Sequence, residues 1–238
     1  MDRRLVSLFT LFQLLAIAVV VETAHAQTSV SFPTRDGGVV VATDSGTGTH
    51  AVVLAHGGRF TKESWAGQMP VLVEAGFRIL AIDFRGRGQS RGGPGLESNQ
   101  DSVHLDVLAA ISYLQETGAQ RISIIGASFG GWASARAATR LAPGTIDALV
   151  LMAHSPIANP EALDGRKLFV VARDDAAGAG SLRLPGIRDQ FERSAPPKEL
   201  LVLPGAAHAQ FLFETEHSDR LMAEILSFLM ASDGEQRP

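Results

Sequence analysis

The chain has no cysteine among its 238 residues. This absence excludes disulfides, a cysteine nucleophile, thiolate metal sites and a lipid anchor attached at cysteine, and it leaves the cellular compartment open. Internal repeats and low-complexity linkers are absent as well. With 45% hydrophobic residues, the chain is long enough for one domain with a well-buried core.

Charge and histidine spacing exclude further classes of function. The formal net charge is -4 and no basic stripe is present, which disfavours nucleic acid as a partner. None of the seven histidines stands in a His-x-x-x-His or similar ligand spacing. The sequence therefore predicts no metal site.

The N-terminus has the three parts of a secretory signal peptide. Arg3 and Arg4 precede an apolar stretch, residues 5–21, and Ala24-His25-Ala26 follows. We predict a signal peptide over residues 1–26, cleavage after Ala26, and a secreted or periplasmic protein. The alternative is an uncleaved membrane anchor, because the apolar stretch approaches spanning length. After cleavage no membrane-length segment remains, so we expect no stable membrane association.

Strand and helix patterns alternate along residues 27–232, which predicts a single α/β domain with a mostly parallel sheet covered on both faces. Residues 233–238 are a polar tail that we expect to be flexible. Strand patterns cover residues 29–34 and 39–44, on either side of Asp36-Gly37-Gly38, and this arrangement indicates a β-hairpin. Helical spacing covers residues 62–74, but Pro70 means that this helix either kinks or begins later. A helix is also predicted over residues 182–193, interrupted by Pro185-Gly186.

The central motif is Gly126-Ala127-Ser128-Phe129-Gly130, which follows an apolar strand pattern and precedes a helical one. A sharp turn from strand to helix can hold one side chain, here Ser128, at its apex. Gly126 and Gly130 would remove the clash that so close a packing creates. The helix dipole would favour negative charge beside the apex. The alternative interpretation is an ordinary loop.

A serine hydroxyl needs a base, a group that orients the base, and donors for the oxyanion. Loops at the carboxyl ends of parallel strands meet at one sheet edge, so residues just past strand ends converge there. Asp174 and Asp175 follow one such strand and His208 follows the last, in the chain order Ser…Asp…His. We predict His208 as the base and one of the two aspartates as its orienting group.

We predict that two backbone N–H groups are the oxyanion donors. One is that of Phe129, just after the nucleophile, and the second comes from Gly58 or Arg59, with Gly58 favoured because glycine lets substrate approach the backbone. His56 is expected to hold this loop. His154 either lines the pocket or is a loop histidine in water. Phe60 and Phe211 are candidates for the acyl wall.

Taken together, five segments resemble the α/β-hydrolase family of serine hydrolases, and they span about residues 30 to 230. The resemblance implies an eight-stranded, mostly parallel sheet and an acid three residues after a glycine at a strand end. Ala172 replaces that glycine here, and counting from it selects Asp175. The stretch 83–90 is a hallmark of the fold whose two arginines are expected at the surface. The segments are Leu54-Ala55-His56-Gly57-Gly58, Asp83-Phe84-Arg85-Gly86-Arg87-Gly88-Gln89-Ser90, Gly126-Ala127-Ser128-Phe129-Gly130-Gly131, Ala172-Arg173-Asp174-Asp175 and Pro204-Gly205-Ala206-Ala207-His208.

Many relatives insert a helical cap where this chain has only residues 154–166, a length typical of a simple connection. The resemblance is therefore to small, capless members, including dienelactone-hydrolase-like esterases, which often carry cysteine as the nucleophile. Relatives that cleave epoxides or carbon–halogen bonds use aspartate at the apex, and Ser128 argues against both reactions.

These expectations define an exported serine hydrolase of small-molecule carboxylic esters. Ser128 is the nucleophile, His208 the base and Asp175 the orienting acid, with the N–H groups of Gly58 and Phe129 as the oxyanion hole. No metal or organic cofactor is required. The same triad could serve a peptidase, an amidase or an acyltransferase, and a non-catalytic binding protein is the alternative from another class. The sequence does not predict the oligomeric state.

Overall fold

A computed structural model describes residues 26–178 and 180–231, so residues 1–25 of the predicted signal peptide and the predicted tail lie outside it. Its centre is an eight-stranded sheet with the order β1-β2-β4-β3-β5-β6-β7-β8. The strands are β1 (Gln27–Pro33), β2 (Val39–Ser45), β3 (His50–Ala55), β4 (Arg78–Ile82), β5 (Arg121–Ala127), β6 (Ala148–Met152), β7 (Arg166–Ala172) and β8 (Lys198–Leu203).

Strand pairing confirms the predicted sheet. β1 and β2 form an antiparallel hairpin whose register runs from Gln27 opposite Ser45 to Pro33 opposite Val39, and β2 pairs antiparallel with β4. Every other pair in the order is parallel. β5 lies between β3 and β6, so the residue that follows it emerges near the middle of the sheet edge.

Helices cover both faces of the sheet, as the alternating pattern predicts. They are α1 (Gln68–Glu74), α2 (His104–Glu116), α3 (Phe129–Ala138), α4 (Leu184–Arg193) and α5 (Ser218–Met230). Apolar side chains of α2, α3 and α4 form one buried cluster with the sheet, and those of α1 and α5 form a second. Because both faces are covered, β3, β4, β6 and β7 are buried almost throughout, whereas β8 at the sheet edge is mostly half-buried.

Two proline positions correct the predicted helix boundaries. The expected helix over 62–74 is a 3₁₀ turn, Lys62–Trp65, followed by α1, so the helix begins later rather than kinking. Pro70 is the third residue of α1, where a backbone N–H has no intrahelical acceptor to lose. Pro185 is the second residue of α4. It therefore begins that helix and does not break it.

The connection between β6 and β7 is short, and no cap interrupts the fold there. It contains one 3₁₀ turn, Pro160–Ala162, and then returns to the sheet. This connection therefore places no cap over the edge of the sheet where β5 ends. Within residues 26–178 and 180–231, none of the helices has the length and apolar character needed to cross a bilayer.

Contrary to the prediction from the sequence, Arg85, in the stretch after β4, does not lie at the surface and is only 3% exposed. Its guanidinium lies 2.7 Å from Asp106 on α2 and 2.6 Å from Asp36 in the β1–β2 turn. The arginine holds the pKa of Asp36 at about 2 through this hydrogen bond. Burying a guanidinium requires such pairing, and here the pairing joins three separate segments.

Candidate active site

Ser128 occupies the turn between β5 and α3 in the strained conformation that the motif predicts. Its φ is +50° and its ψ is -111°, and φ values in this region are uncommon for residues with a Cβ. The Ser128 N–H donates to the carbonyl of Met152 at the end of β6 (2.7 Å), and the Ser128 carbonyl accepts from Trp132 in the first turn of α3 (3.0 Å). Neighbouring elements therefore hold the strained residue in place.

The two glycines of the motif permit α3 to pack directly on the sheet. A Cβ on Gly130 would lie 2.2 Å from the carbonyl oxygen of Ala55, and one on Gly126 would lie 2.7 Å from the Cα of Gly131. Both distances are far shorter than real Cβ contacts. The predicted reason for these glycines is confirmed: only residues without a side chain allow this approach.

Three predicted residues meet in one chain of hydrogen bonds. His208 Nε2 lies 2.8 Å from Ser128 Oγ, and His208 Nδ1 lies 2.8 Å from Asp175 Oδ2. A neutral imidazole that donates its Nδ1–H to the carboxylate leaves Nε2 free to accept the serine proton. The residues come from loops after β5, β7 and β8, which meet at the same edge of the sheet.

The neighbouring aspartates differ sharply in environment. Asp175 is 1% exposed and contacts the imidazole, whereas Asp174 is exposed in the turn, where its N–H donates to the carbonyl of Gly205 (2.9 Å). Arg183, which stands in no motif of the sequence, donates its backbone N–H to the Asp175 carbonyl (2.8 Å) and places its Nε 3.5 Å from Asp175 Oδ1. The carboxylate is thus shared between His208 and a cation.

The predicted oxyanion donors lie close together, Gly58 on the loop after β3 and Phe129 at the first position of α3. A Cβ on Gly58 would lie 3.4 Å from the Cβ of Phe129. The Gly57 carbonyl accepts from His56 Nδ1 (2.8 Å) and from the Phe60 N–H (3.0 Å). In a trans peptide the following N–H, that of Gly58, points the opposite way. Arg87 donates through Nε and Nη2 to the Gly58 carbonyl (3.0 and 2.9 Å), which fixes the next peptide as well.

His56 holds the loop after β3, as expected. Its Nε2 accepts from the N–H of Phe84 (3.2 Å), so its Nδ1 carries the proton that is donated to the Gly57 carbonyl. Burial lowers the pKa of His56, in keeping with a neutral ring. The imidazole thus links the loops after β3 and β4, and it takes no part in the hydrogen bonds that join Ser128, His208 and Asp175.

His154 fulfils neither of its two predicted roles. It is only 1% exposed, and burial lowers its pKa to about 4. The side chain packs beneath α3, where a Cβ on Gly131 would lie 2.8 Å from the His154 Cβ, and its ring lies 5.7 Å from that of Phe169. Neither ring nitrogen has a hydrogen-bond partner among the described residues. His154 is therefore a core residue, neither in water nor lining an open pocket.

Two aromatic side chains flank the loops that carry the base and the predicted donor. The rings of Phe60 and Phe211 meet edge to face, with centroids 5.4 Å apart. Phe211 is 37% exposed, which is high for so large an apolar residue. Across residues 26–178 and 180–231, His, Asp and Glu side chains nowhere gather in a group of three that could hold a metal ion.

Comparison with known proteins assigns the class of protein. A family model described as alpha/beta hydrolase fold matches residues 50–180, and the chain belongs to this family. The esterase Pf2001 of Pyrococcus furiosus superposes with a TM-score of 0.72 at 18% identity, covering 86% of this chain and 92% of the esterase. At that identity the structural likeness concerns the fold alone.

Curated relatives match at the level of sequence. Bifunctional epoxide hydrolase 2 of Sus scrofa is 37% identical over 83 residues, which are 34% of this chain and 14% of that protein. ABHD14B of Rattus norvegicus, named as a candidate protein-lysine deacylase, is 26% identical over 191 residues, covering 75% of this chain and 82% of the relative. This chain thus spans only a small part of the pig enzyme.

Proposed function

We propose that the protein is a serine hydrolase that cleaves carboxylic esters. The single observation that carries this proposal is the continuous hydrogen-bonded chain from Ser128 through His208 to buried Asp175, with Ser128 at a strained apex. Opening an epoxide through a covalent ester intermediate requires a carboxylate nucleophile, whereas the side chain at this apex is a hydroxyl. An intact triad also disfavours a purely binding role.

In the proposed reaction, the Ser128 oxygen attacks the acyl carbon while its proton moves to His208 Nε2. Asp175 holds the tautomer and stabilises the imidazolium. The N–H groups of Phe129 and Gly58 bind the oxygen that becomes negatively charged. His208 then returns the proton to the leaving alcohol. Water, activated by the same imidazole, cleaves the acyl-enzyme and regenerates the serine.

The test is hydrolysis of p-nitrophenyl butyrate by residues 27–238, beside a Ser128→Ala variant. We expect turnover in the wild type, a residual rate in Ser128→Ala lower by at least about 10³-fold, and labelling by a fluorophosphonate at Ser128 only. A folded wild type that neither turns over the ester nor takes the label would contradict the proposal and favour the binding-protein alternative.

A second candidate is hydrolysis of an acyl amide, which the printed name of the rat relative favours. The same atoms would act, with His208 protonating a leaving amine instead of an alcohol. Comparing kcat/KM for p-nitrophenyl acetate, p-nitroacetanilide and an Nε-acetyl-lysine peptide separates the two candidates. Higher kcat/KM on the peptide than on the activated ester would make the amide the better substrate class.

We also propose that the protein acts outside the cytoplasm, in the periplasm or the medium, after cleavage between Ala26 and Gln27. The support is the order of basic residues, apolar stretch and small-residue site in the first 26 residues. Intact-mass measurement of the exported protein should give a chain beginning at Gln27. If the protein is found in the membrane fraction with a mass that includes residues 1–26, the segment is an uncleaved anchor.

A further inference from the structure

Gln210 follows the candidate base by two residues and is only 7% exposed, although its side chain is polar. Its Oε1 accepts from the Gly57 N–H (2.7 Å), and its Nε2 donates to Ser64 Oγ (2.7 Å). Ser64 in turn donates to the carbonyl of Thr61 (2.7 Å). Both ends of the amide are thus satisfied by the loop after β3 and by the 3₁₀ turn that follows it.

The backbone around Gln210 shows how closely the two loops are joined. Ala209, between His208 and Gln210, has a φ of +52° and is buried. Residues with a Cβ adopt this conformation only where surrounding contacts impose it. A Cβ on Gly57 would lie 3.2 Å from Gln210 Oε1, so a side chain at position 57 would crowd the amide.

Gly57 connects this contact to the oxyanion donor. Gln210 holds the Gly57 N–H, while His56 and Phe60 hold the Gly57 carbonyl. The Gly57 carbonyl and the Gly58 N–H belong to one planar peptide, so its tilt sets the direction of that N–H. A group that anchors Gly57 to the segment of His208 therefore relates the position of the donor to that of the base.

We propose that Gln210 is a positioning residue that ties the segment carrying His208 to the loop carrying the Gly58 N–H, so that base and oxyanion donor keep one relative geometry. The role rests on the proposed hydrolase function. Gln210 does not touch the reacting atoms. Because the oxyanion forms only along the reaction, loss of the tie should weaken transition-state binding more than ground-state binding.

The test compares the wild type with Gln210→Met, which is similar in length and removes both hydrogen bonds. Ser64→Ala is the matched control, because it removes the partner of Nε2 and leaves the tie to Gly57 intact. We expect Gln210→Met to lower kcat on p-nitrophenyl butyrate by roughly 10- to 100-fold with KM changed little. Ser64→Ala should lose no more than about threefold in kcat, since the oxyanion donor is still positioned.

A transition-state probe separates this role from simple loss of stability. Butylboronic acid forms a tetrahedral adduct on serine whose hydroxyl occupies the oxyanion position, so its Ki should rise in Gln210→Met by the factor by which kcat/KM falls. Hydrogen exchange should accelerate in the peptide containing Gly57 and Gly58. A Gln210→Met variant with wild-type kcat, or with unchanged hydrogen exchange at Gly57, would refute the positioning role of Gln210. An inactive, unlabelled wild type would instead overturn the hydrolase function and the catalytic role with it.

Discussion

Asp174 and Asp175 form a matched pair for testing the triad at the level of one residue. Asp175→Asn keeps the size of a buried side chain that contacts His208, but the amide cannot hold the required tautomer. We expect kcat on p-nitrophenyl butyrate to fall by about 10⁴-fold. Asp174→Asn changes an exposed turn residue and should leave kcat nearly unchanged. The reverse result would make Asp174 the orienting acid.

Because His154 is buried, we expect the free energy of unfolding to depend on pH. Its pKa is lowered by burial from 6.5 to about 4 in the folded state. Above pH 6.5 the ring is neutral in both states. As the pH falls below 6.5, the unfolded chain binds a proton that the folded chain excludes, so stability is lost progressively down to about pH 4. The loss from this residue alone is of the order of 3 kcal/mol, from about 1.4 kcal/mol for each pH unit.

The measurement is urea unfolding from pH 8 to pH 4 for the wild type and His154→Leu. His50 has a similarly lowered pKa and is present in both proteins, so the comparison isolates position 154. We expect the free energy of unfolding to fall less steeply between pH 6.5 and 4 in the variant. Equal slopes would mean that the folded protein accommodates a protonated His154.

At the scale of elements, Gly130 tests the packing of α3 against β3. Helix propensity alone favours alanine over glycine by about 1 kcal/mol. The structure predicts that alanine at position 130 lowers stability instead, because its Cβ would lie 2.2 Å from the Ala55 carbonyl oxygen and 2.6 Å from that of His56. Since backbone must shift to admit it, Gly130→Ala should destabilise the protein by about 1–3 kcal/mol or more and lower kcat.

Gly67→Ala is the matched control for this substitution. Gly67 precedes α1 with φ -77° and ψ -31°, and a Cβ there would meet nothing within 4 Å. We expect this variant to gain about 0.4–1 kcal/mol in the free energy of unfolding, because alanine lowers the conformational entropy of the unfolded chain. Thermal unfolding followed by circular dichroism checks both variants. A Gly130→Ala protein as stable as Gly67→Ala would refute the close packing.

The same elements show which features a sequence can predict. Ser128 and its glycines form a local motif, and the acid and base follow strand ends whose convergence is a property of parallel sheets. The sequence does not predict the burial of Arg85, because its partners, Asp36 and Asp106, come from a turn and a helix far away in sequence. It does not predict the role of Gln210 either, because a glutamine between a small and an aromatic residue forms no distinctive pattern. Only the folded chain brings it to Gly57.

At the scale of the whole molecule, the site is open because the sheet edge carries no cap. The connection from β6 to β7 holds a single 3₁₀ turn, and the His208 side chain remains 31% exposed while paired with Asp175. Enzymes in which a lid covers the site need a conformational step before substrate can enter. In the part of the chain that the structure describes, the candidate triad is already assembled, with Asp175 buried and the His208 side chain partly exposed.

An open site predicts a particular dependence of rate on ester concentration. Initial rates with p-nitrophenyl butyrate should follow one hyperbola through the solubility limit, with no rise when the ester forms droplets, because no lid has to be displaced at an interface. Rates measured with Ser128→Ala provide the background at each concentration. Detergent above its micellar concentration should likewise fail to activate the enzyme. An abrupt increase in rate at the solubility limit would show that a segment closes over Ser128 in water, and the open edge of the sheet would then not be the state that binds substrate.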